Sequence, residues 1–231
     1  MANLSRGLVI PTTVDRSQAR EDYLKALYHL GRGGRAVPTS ELAEALGVRK
    51  PSVSGMLKRL SGEGLVAHQP RHGARLSPAG RVVTMQVVRR HRLLETFLVE
   101  ILGLDWSEVH EDAEVLEHHL SDRLVAAIDH ALGYPPEDPH GHPIPDADGK
   151  LPPRDLIPLA ALREGEGATV RELRLEGERR LRGWEALGFV PGARVQLLEH
   201  REMEDVLRFR VGGEEVVTGG EGIDGVFVDK D

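Results

Sequence analysis

The chain has 231 residues, 40% hydrophobic and 29% charged, an ordinary balance for a folded protein and enough for two or three small domains. It contains no cysteine, which removes disulfides, thiolate metal sites and a cysteine nucleophile and fits a cytoplasmic protein. The formal net charge of −7 argues against nonspecific polyanion binding by the chain as a whole. No apolar run approaches the ~18–20 residues that cross a bilayer. Residues 1–20 carry no apolar core or small-residue cleavage pattern, so neither a membrane partner nor a secretory signal is expected.

Residues 1–16 lack periodicity and read as an arm. From Ser17, Leu24, Leu27 and Leu30 mark an amphipathic helix that stops at Gly31, Gly33 and Gly34. A short second helix is predicted from an N-cap at Thr39 or Ser40 to Leu46, ended by Gly47. Pro51 opens a third, in which Val53, Met56, Leu57 and Leu60 repeat at i, i+3, i+4 and i+7. Leu65-Val66-Ala67 and Ala74-Arg75-Leu76 flank Arg71-His72-Gly73 as a two-stranded ribbon. This order is that of a winged helix-turn-helix, whose second motif helix enters the major groove of DNA.

Charge supports that reading. Between Arg49 and Arg92 the basic residues are Arg49, Lys50, Lys58, Arg59, Arg71, Arg75, Arg81, Arg89, Arg90 and Arg92, and Glu63 is the only acid. The candidate DNA contacts are Arg49, Lys50, Pro51, Ser52, Ser54 and Lys58 on the third helix, with Arg71 and Arg75 on the ribbon. The blander reading is a helical module with a solvated basic face, used for protein contacts.

Ser77-Pro78 is an N-cap followed by proline, and the helix it opens is predicted to reach Leu102 before Gly103. Another helix is predicted over Ser107–Leu120. A third follows a cap at Ser121 or Asp122, with Leu124, Val125, Ile128, Ala131 and Leu132 as its stripe. Residues 134–158, rich in proline, read as a linker or extended crossover. Ala168–Leu173, Arg194–Leu198, Val206–Val211, Glu215–Thr218 and Gly225–Val228 read as short strands, interrupted by one helix over Glu178–Leu187, and suggest a small β-barrel. The fold class is therefore mainly α with a small β-barrel, divided as 1–77, 78–150 and 151–231.

Two helical stretches carry the ligand chemistry. An α-helix advances about 100° per residue, so His91 and Glu95 share a face. His110, Glu114, Glu117 and His118, at i, i+4, i+7 and i+8, share another. Imidazoles and carboxylates facing each other across helices hold divalent metals in bundles. Nitrogen and oxygen donors suit Mn²⁺, Fe²⁺, Co²⁺, Ni²⁺ or Zn²⁺, not Cu(I). A Glu- and His-rich helix is more often only a solvated face, but here the two sets are joined by an apolar seam of Leu94, Phe97, Leu98, Val109 and Leu116.

The chain resembles the metal-dependent regulators of the diphtheria-toxin-repressor family, including its manganese-responsive branch. The motifs that carry this are Asp22-Tyr23-Leu24, Pro51-Ser52-Val53-Ser54, Glu63-Gly64-Leu65-Val66, Leu76-Ser77-Pro78-Ala79-Gly80 and Arg90-His91-Arg92-Leu93. Further matches are Val109-His110-Glu111, Leu116-Glu117-His118-His119-Leu120-Ser121-Asp122 and the linker from Asp138 to Pro145. Leu187-Gly188-Phe189-Val190-Pro191-Gly192 looks like part of an FeoA-type, SH3-like barrel.

The resemblance implies a winged-helix domain, a helical dimerisation and metal domain, and the SH3-like barrel, assembled as a homodimer. It implies a primary metal site of Asp22, Glu114, Glu117 and His118 and an ancillary site of His91, Glu95 and His110, with Mn²⁺ or Fe²⁺ as the ion and other transition metals admissible in vitro. Glu114 and Asp22 stand where iron-type members carry sulfur ligands, which matches the manganese branch. Lys25 stands where that branch has a second acidic ligand, which argues against a tightly spaced binuclear centre. Iron-type members complete the ancillary site from the barrel, and Glu176 and Glu178 lie near that position. Gly55 replaces a polar reader residue of the toxin-repressor branch. His140 and His142 read as part of a structural proline-rich crossover.

The function these features predict is metal-dependent transcriptional regulation, acting on palindromic double-stranded operators and repressing metal-uptake genes, with no small-molecule substrate. Two rivals remain. A metal-independent regulator would use the cluster as a structural staple. A metallohydrolase would need an open coordination position and a nearby base, and the chain has no His-Glu-x-x-His run, phosphate loop or nucleophile elbow.

Overall fold

The computed structural model describes residues 18–31, 34–69, 72–174 and 177–230. The chain divides into two compact units, residues 1–81 and 82–231.

In the first unit, α1 (Gln18–Leu30), α2 (Thr39–Ala45) and α3 (Lys50–Gly62) are followed by β1 (Val66–Gln69) and β2 (Gly73–Leu76). The stripe on α3 turns Val53, Leu57 and Leu60 fully inward in a helix that packs on α1 and α2, where Leu24, Leu27 and Leu42 are likewise buried, while Met56 is only half-buried. Burying a Leu or Val side chain contributes about 1.5–3 kcal/mol, so this stripe fixes α3 against its neighbours. Gly47, at φ +62, supplies the left-handed residue that turns α2 into α3. β1 and β2 pair antiparallel from Val66 with Leu76 to Gln69 with Gly73, and Val37 adds a bridge to Ala74. One expectation fails here. The cap of α2 is Pro38, and no side-chain hydroxyl caps the helix; its carbonyl accepts from Glu41 and Leu42, because the proline ring already fixes a suitable φ of −62°.

α4 (Pro78–Glu100) starts as predicted: Ser77 Oγ accepts from the Gly80 amide at 3.0 Å and donates to the Gly64 carbonyl at 2.6 Å. Gly80 has to lack a side chain, since a Cβ there would lie 1.9 Å from the Leu65 carbonyl oxygen.

The second unit packs α4, α5 (Val109–Leu116) and α6 (Asp122–Ala131) around Leu93, Leu94, Ala113, Ile128 and Ile144. α5 is shorter than predicted at both ends. The Asp105 carboxylate holds the Ser107 amide and hydroxyl in a turn before it, and after it His119 donates to the Leu116 carbonyl, tightening the chain. Glu117 and His118 therefore sit on that turn, past the helix.

The remainder is an antiparallel sheet of six strands in the order β3 (Ile157–Pro158), β8 (Val226–Lys230), β4 (Gly167–Leu173), β5 (Arg194–Arg201), β6 (Val206–Val211), β7 (Glu214–Thr218), with α7 (Glu178–Ala186) and the short α8 (Gly220–Ile223). Trp184, Phe189 and Phe209 fill its interior, the two phenylalanines edge to face at 5.6 Å. The two-residue β3 is a strand the sequence hides among prolines. β4 carries a bulge between Val170 and Glu172. Against it lies the linker turn: Leu173 donates to the His140 carbonyl at 3.0 Å, and Gly141, at φ +82, passes so close that a Cβ would meet the Arg171 carbonyl oxygen at 1.9 Å. Among the described residues no helix is long and apolar enough to cross a membrane.

Candidate metal centre

α4 is long and apolar on its inner face, yet it buries His91 and Glu95, one turn apart, at 8% and 2% exposure. Buried ionisable groups persist only when paired or bound to a cation. His110, near the start of α5, reaches the same point. Glu95 Oε1 lies 2.9 Å from His91 Nε2 and 3.1 Å from His110 Nδ1, and the two ring nitrogens are 3.1 Å apart. The three atoms form a nearly equilateral triangle.

The predicted ligands on the turn after α5 join this triangle. Glu117, fully buried, places Oε2 2.6 Å from His91 Nδ1 and Oε1 3.5 Å from His118 Nε2. Glu114 Oε1 stands 3.9 Å from His91 Nδ1 and 3.6 Å from His110 Nε2. Six of the seven predicted metal residues thus converge. Asp22 is half-buried on α1, in the first unit.

Hydrogen-bond logic tests whether these residues fit a metal. A carboxylate offers only lone pairs, so His91 Nδ1 carries the proton it shares with Glu117, and a divalent ion at the triangle would take the place of the proton that Nε2 shares with Glu95. Metal-ligating histidines are oriented in this way by a carboxylate on the far nitrogen. With bonds of about 2.1 Å, neighbouring ligand atoms of an octahedral ion stand about 3 Å apart, and the triangle has that edge. The donors fit a first-row divalent ion. Burial alone would raise the Glu95 carboxyl, but His91, then His110 and His140, outweigh it and hold Glu95 well below the usual carboxylate range.

The sequence reading sets His140 and His142 aside as part of a structural crossover; the structure brings them together with Asp138 in a second cluster. Asp138 Oδ1 accepts from the amides of His140 and His142, both at 2.9 Å, and Oδ2 lies 3.1 Å from His142 Nδ1. The signal was the Asp-Pro-His-Gly-His spacing itself. From the barrel, Glu172 reaches this cluster, its Oε1 4.0 Å from His142 Nε2. Of the two barrel glutamates considered from sequence, Glu178 pairs with Arg182 at 3.1 Å at the start of α7, and Glu176 lies outside the described residues.

On the first unit, Arg49, the residue that caps α3, and Lys50, Pro51, Ser52, Ser54 and Lys58 on α3 are all exposed, and Arg75 is exposed on β2. No acid occupies the first turn of α3, so its amide-rich N-terminus keeps a positive field. Arg71 lies outside the described residues.

Residues 15–74 match the family described as Iron dependent repressor, N-terminal DNA binding domain; residues 77–146 match Iron dependent repressor, metal binding and dimerisation domain; residues 157–229 match the FeoA domain. The diphtheria toxin repressor of Corynebacterium efficiens is 32% identical over 166 residues, 70% of this chain and 72% of that protein. The chain belongs to the diphtheria toxin repressor family of metal-dependent transcriptional repressors. The iron-dependent repressor IdeR of Mycobacterium leprae is 31% identical over 161 residues, 70% of this chain and 66% of its own length. Among solved structures of the family, a manganese-dependent transcriptional repressor in complex with manganese superimposes with TM-score 0.85 at 38% identity, covering 92% of this chain and 100% of that one. ScaR with bound Zn²⁺ gives 0.77 at 32% identity, covering 92% and 99%.

Proposed function

We propose that this repressor family member senses Mn²⁺ or Fe²⁺ and, as a homodimer loaded with the ion, binds palindromic operators and silences metal-uptake genes. The observation that carries this reading is the His91–Glu95–His110 triangle with Glu114 and Glu117 at its edge: a nitrogen and oxygen donor set free of sulfur, with His91, Glu95 and Glu117 buried and His110 and Glu114 half-buried. His91, Glu95 and His110 form one site; Asp22, Glu114, Glu117 and His118 form the other. The working division is a winged helix over 1–77, a metal and dimerisation domain over 78–150 and a barrel over 151–231.

The chain's own residues suggest how the signal passes. Carboxylates gathered at one point repel one another, and a bound divalent cation supplies the charge that removes this repulsion. Asp22 lies on α1, which packs on α2, α3 and β2, so a constraint on Asp22 is a constraint on the reading helix. In a dimer, holding Asp22 in place fixes the separation of the two α3 helices near one DNA turn, about 34–36 Å. Dimerisation has apolar surface to use: Leu102, Val115, Leu116 and Leu124 are exposed in the single chain.

The test is capture of host genomic DNA by purified protein at fixed salt, sequenced after washing in Mn²⁺, Fe²⁺ or EDTA. Palindromic sites enriched only with metal are expected, and they name the ion and the operator. Equal enrichment in EDTA would replace the switch with a metal-independent regulator whose cluster is structural.

A further inference from the structure

α1, which carries Asp22, also buries a cation that stability alone does not account for. Arg20 lies in its first turn and is 4% exposed. A positive charge there opposes the field of the helix N-terminus, and taking it out of water costs more still. The compensation is thin. Nε donates to Glu63 Oε2 at 2.8 Å, and Nη1, also buried, has no hydrogen-bond partner among the described residues. A guanidinium offers five donors, so an apolar side chain of similar length would hold this position as well.

What the pair does is tie two helices together at one point. Glu63 ends α3: its amide donates to the Arg59 carbonyl at 3.0 Å, and its Oε1 accepts from Arg59 Nε at 3.1 Å. One carboxylate thus joins the first turn of α1 to the last turn of α3. Apolar contact between helices has no direction and tolerates sliding. A charge-assisted hydrogen bond fixes where one helix end stands on the other. Asp22 is two residues beyond Arg20, about 200° around the helix, so α1 stands between them. A pull on Asp22 moves the first turn of α1, and Arg20 passes that movement to the end of α3. We propose that Arg20 is a positioning residue that couples metal occupancy at Asp22 to the setting of the reading helix. The inference rests on the metal-dependent reading above and names the contact through which that signal leaves α1.

The experiment measures operator affinity of the full-length protein by fluorescence anisotropy, with Mn²⁺ in excess and with EDTA, on a duplex recovered by the genomic capture. Arg20→Met is expected to melt no lower than the parent without metal, yet to lose about 5-fold or more of the Mn²⁺-to-EDTA affinity ratio. Coupling is reciprocal, so the tightening of Mn²⁺ binding by the duplex should shrink by the same factor. Arg20→Lys keeps a cation for what is a single contact, and is expected to retain most of the ratio. An unchanged ratio in Arg20→Met would overturn the proposal, and lower melting beside it would make Arg20 a structural brace only. A ratio lost equally in Arg20→Lys would overturn it too, since the charge would then not be what couples. Equal affinity of the parent in Mn²⁺ and EDTA would instead overturn the metal-dependent reading itself, a distinct result.

Discussion

The two compact units place chemistry on opposite sides of their cores. In the first, α3 turns Val53, Leu57 and Leu60 inward and Lys50, Ser52 and Lys58 outward. In the second, the polar groups His91, Glu95, Glu117, Asp138 and His140 are inside, each with named partners. A surface function can be altered without touching the core that supports it. A buried one cannot, because the groups that bind are also groups that pack.

Substitutions sharpen or break that contrast. The largest effect is expected from Leu57→Ala, which empties a fully buried position of α3 and should cost about 2–5 kcal/mol in denaturant melts of the first unit. Metal affinity at the His91–Glu95–His110 site should survive it, read by titration; a parallel loss there would show that the units are not separable. Glu117→Ala comes next. It should weaken metal binding about 10–100-fold by calorimetry and lower the melting temperature of the metal-free protein as well, since His91 loses the carboxylate that orients it. Lys50→Ala should cost about 1–3 kcal/mol of operator affinity if Lys50 reads a base, with melting unchanged. Lys58→Ala should reduce the slope of log affinity against log salt by about 1 and lower affinity evenly across sequences.

The smallest expected effect is a pH dependence in the barrel. Burial would raise the Glu172 carboxyl, but Arg174 at 2.7 Å, with His142 and Arg92, outweighs it and lowers it. A carboxyl lowered by folding stabilises the protein above its unfolded value, about 4.3, and that contribution disappears as pH falls through the folded value. Glu172→Gln should therefore melt earlier than the parent at pH 7, and the gap should close towards pH 3. A gap that widens on acidification would show the sign to be wrong.

Much of this was legible because it is local. The i, i+4 spacing of His91 and Glu95 and the Ser77-Pro78 start of α4 each depend on a handful of neighbouring residues, and both hold in the structure. The lone acid among the basic residues, Glu63, takes Arg20 at 2.8 Å and Arg59 at 3.1 Å. What stayed hidden depends on contacts between distant segments or on competing turns. The Pro38 cap displaced two hydroxyl candidates because a fixed φ needs no side chain. α5 ends early because a tighter turn follows, which local periodicity does not register. His140 read as scaffold because its partners, Glu95 and the Trp106 carbonyl, come from other segments. A barrel glutamate was sought in the stretch of 176 and 178, whereas the bulge in β4 presents Glu172 to the linker.

Gly141 gives the barrel a duty beyond its own stability. At that position a hydrogen atom is all that fits between the linker and the Arg171 carbonyl, and the neighbouring His140 carbonyl is pinned by the Leu173 amide. The bulged strand is a mould, and the Asp-Pro-His-Gly-His turn is cast against it. A chain trimmed of the barrel would keep every histidine and carboxylate on the helices, yet the linker would lose the surface that sets its shape.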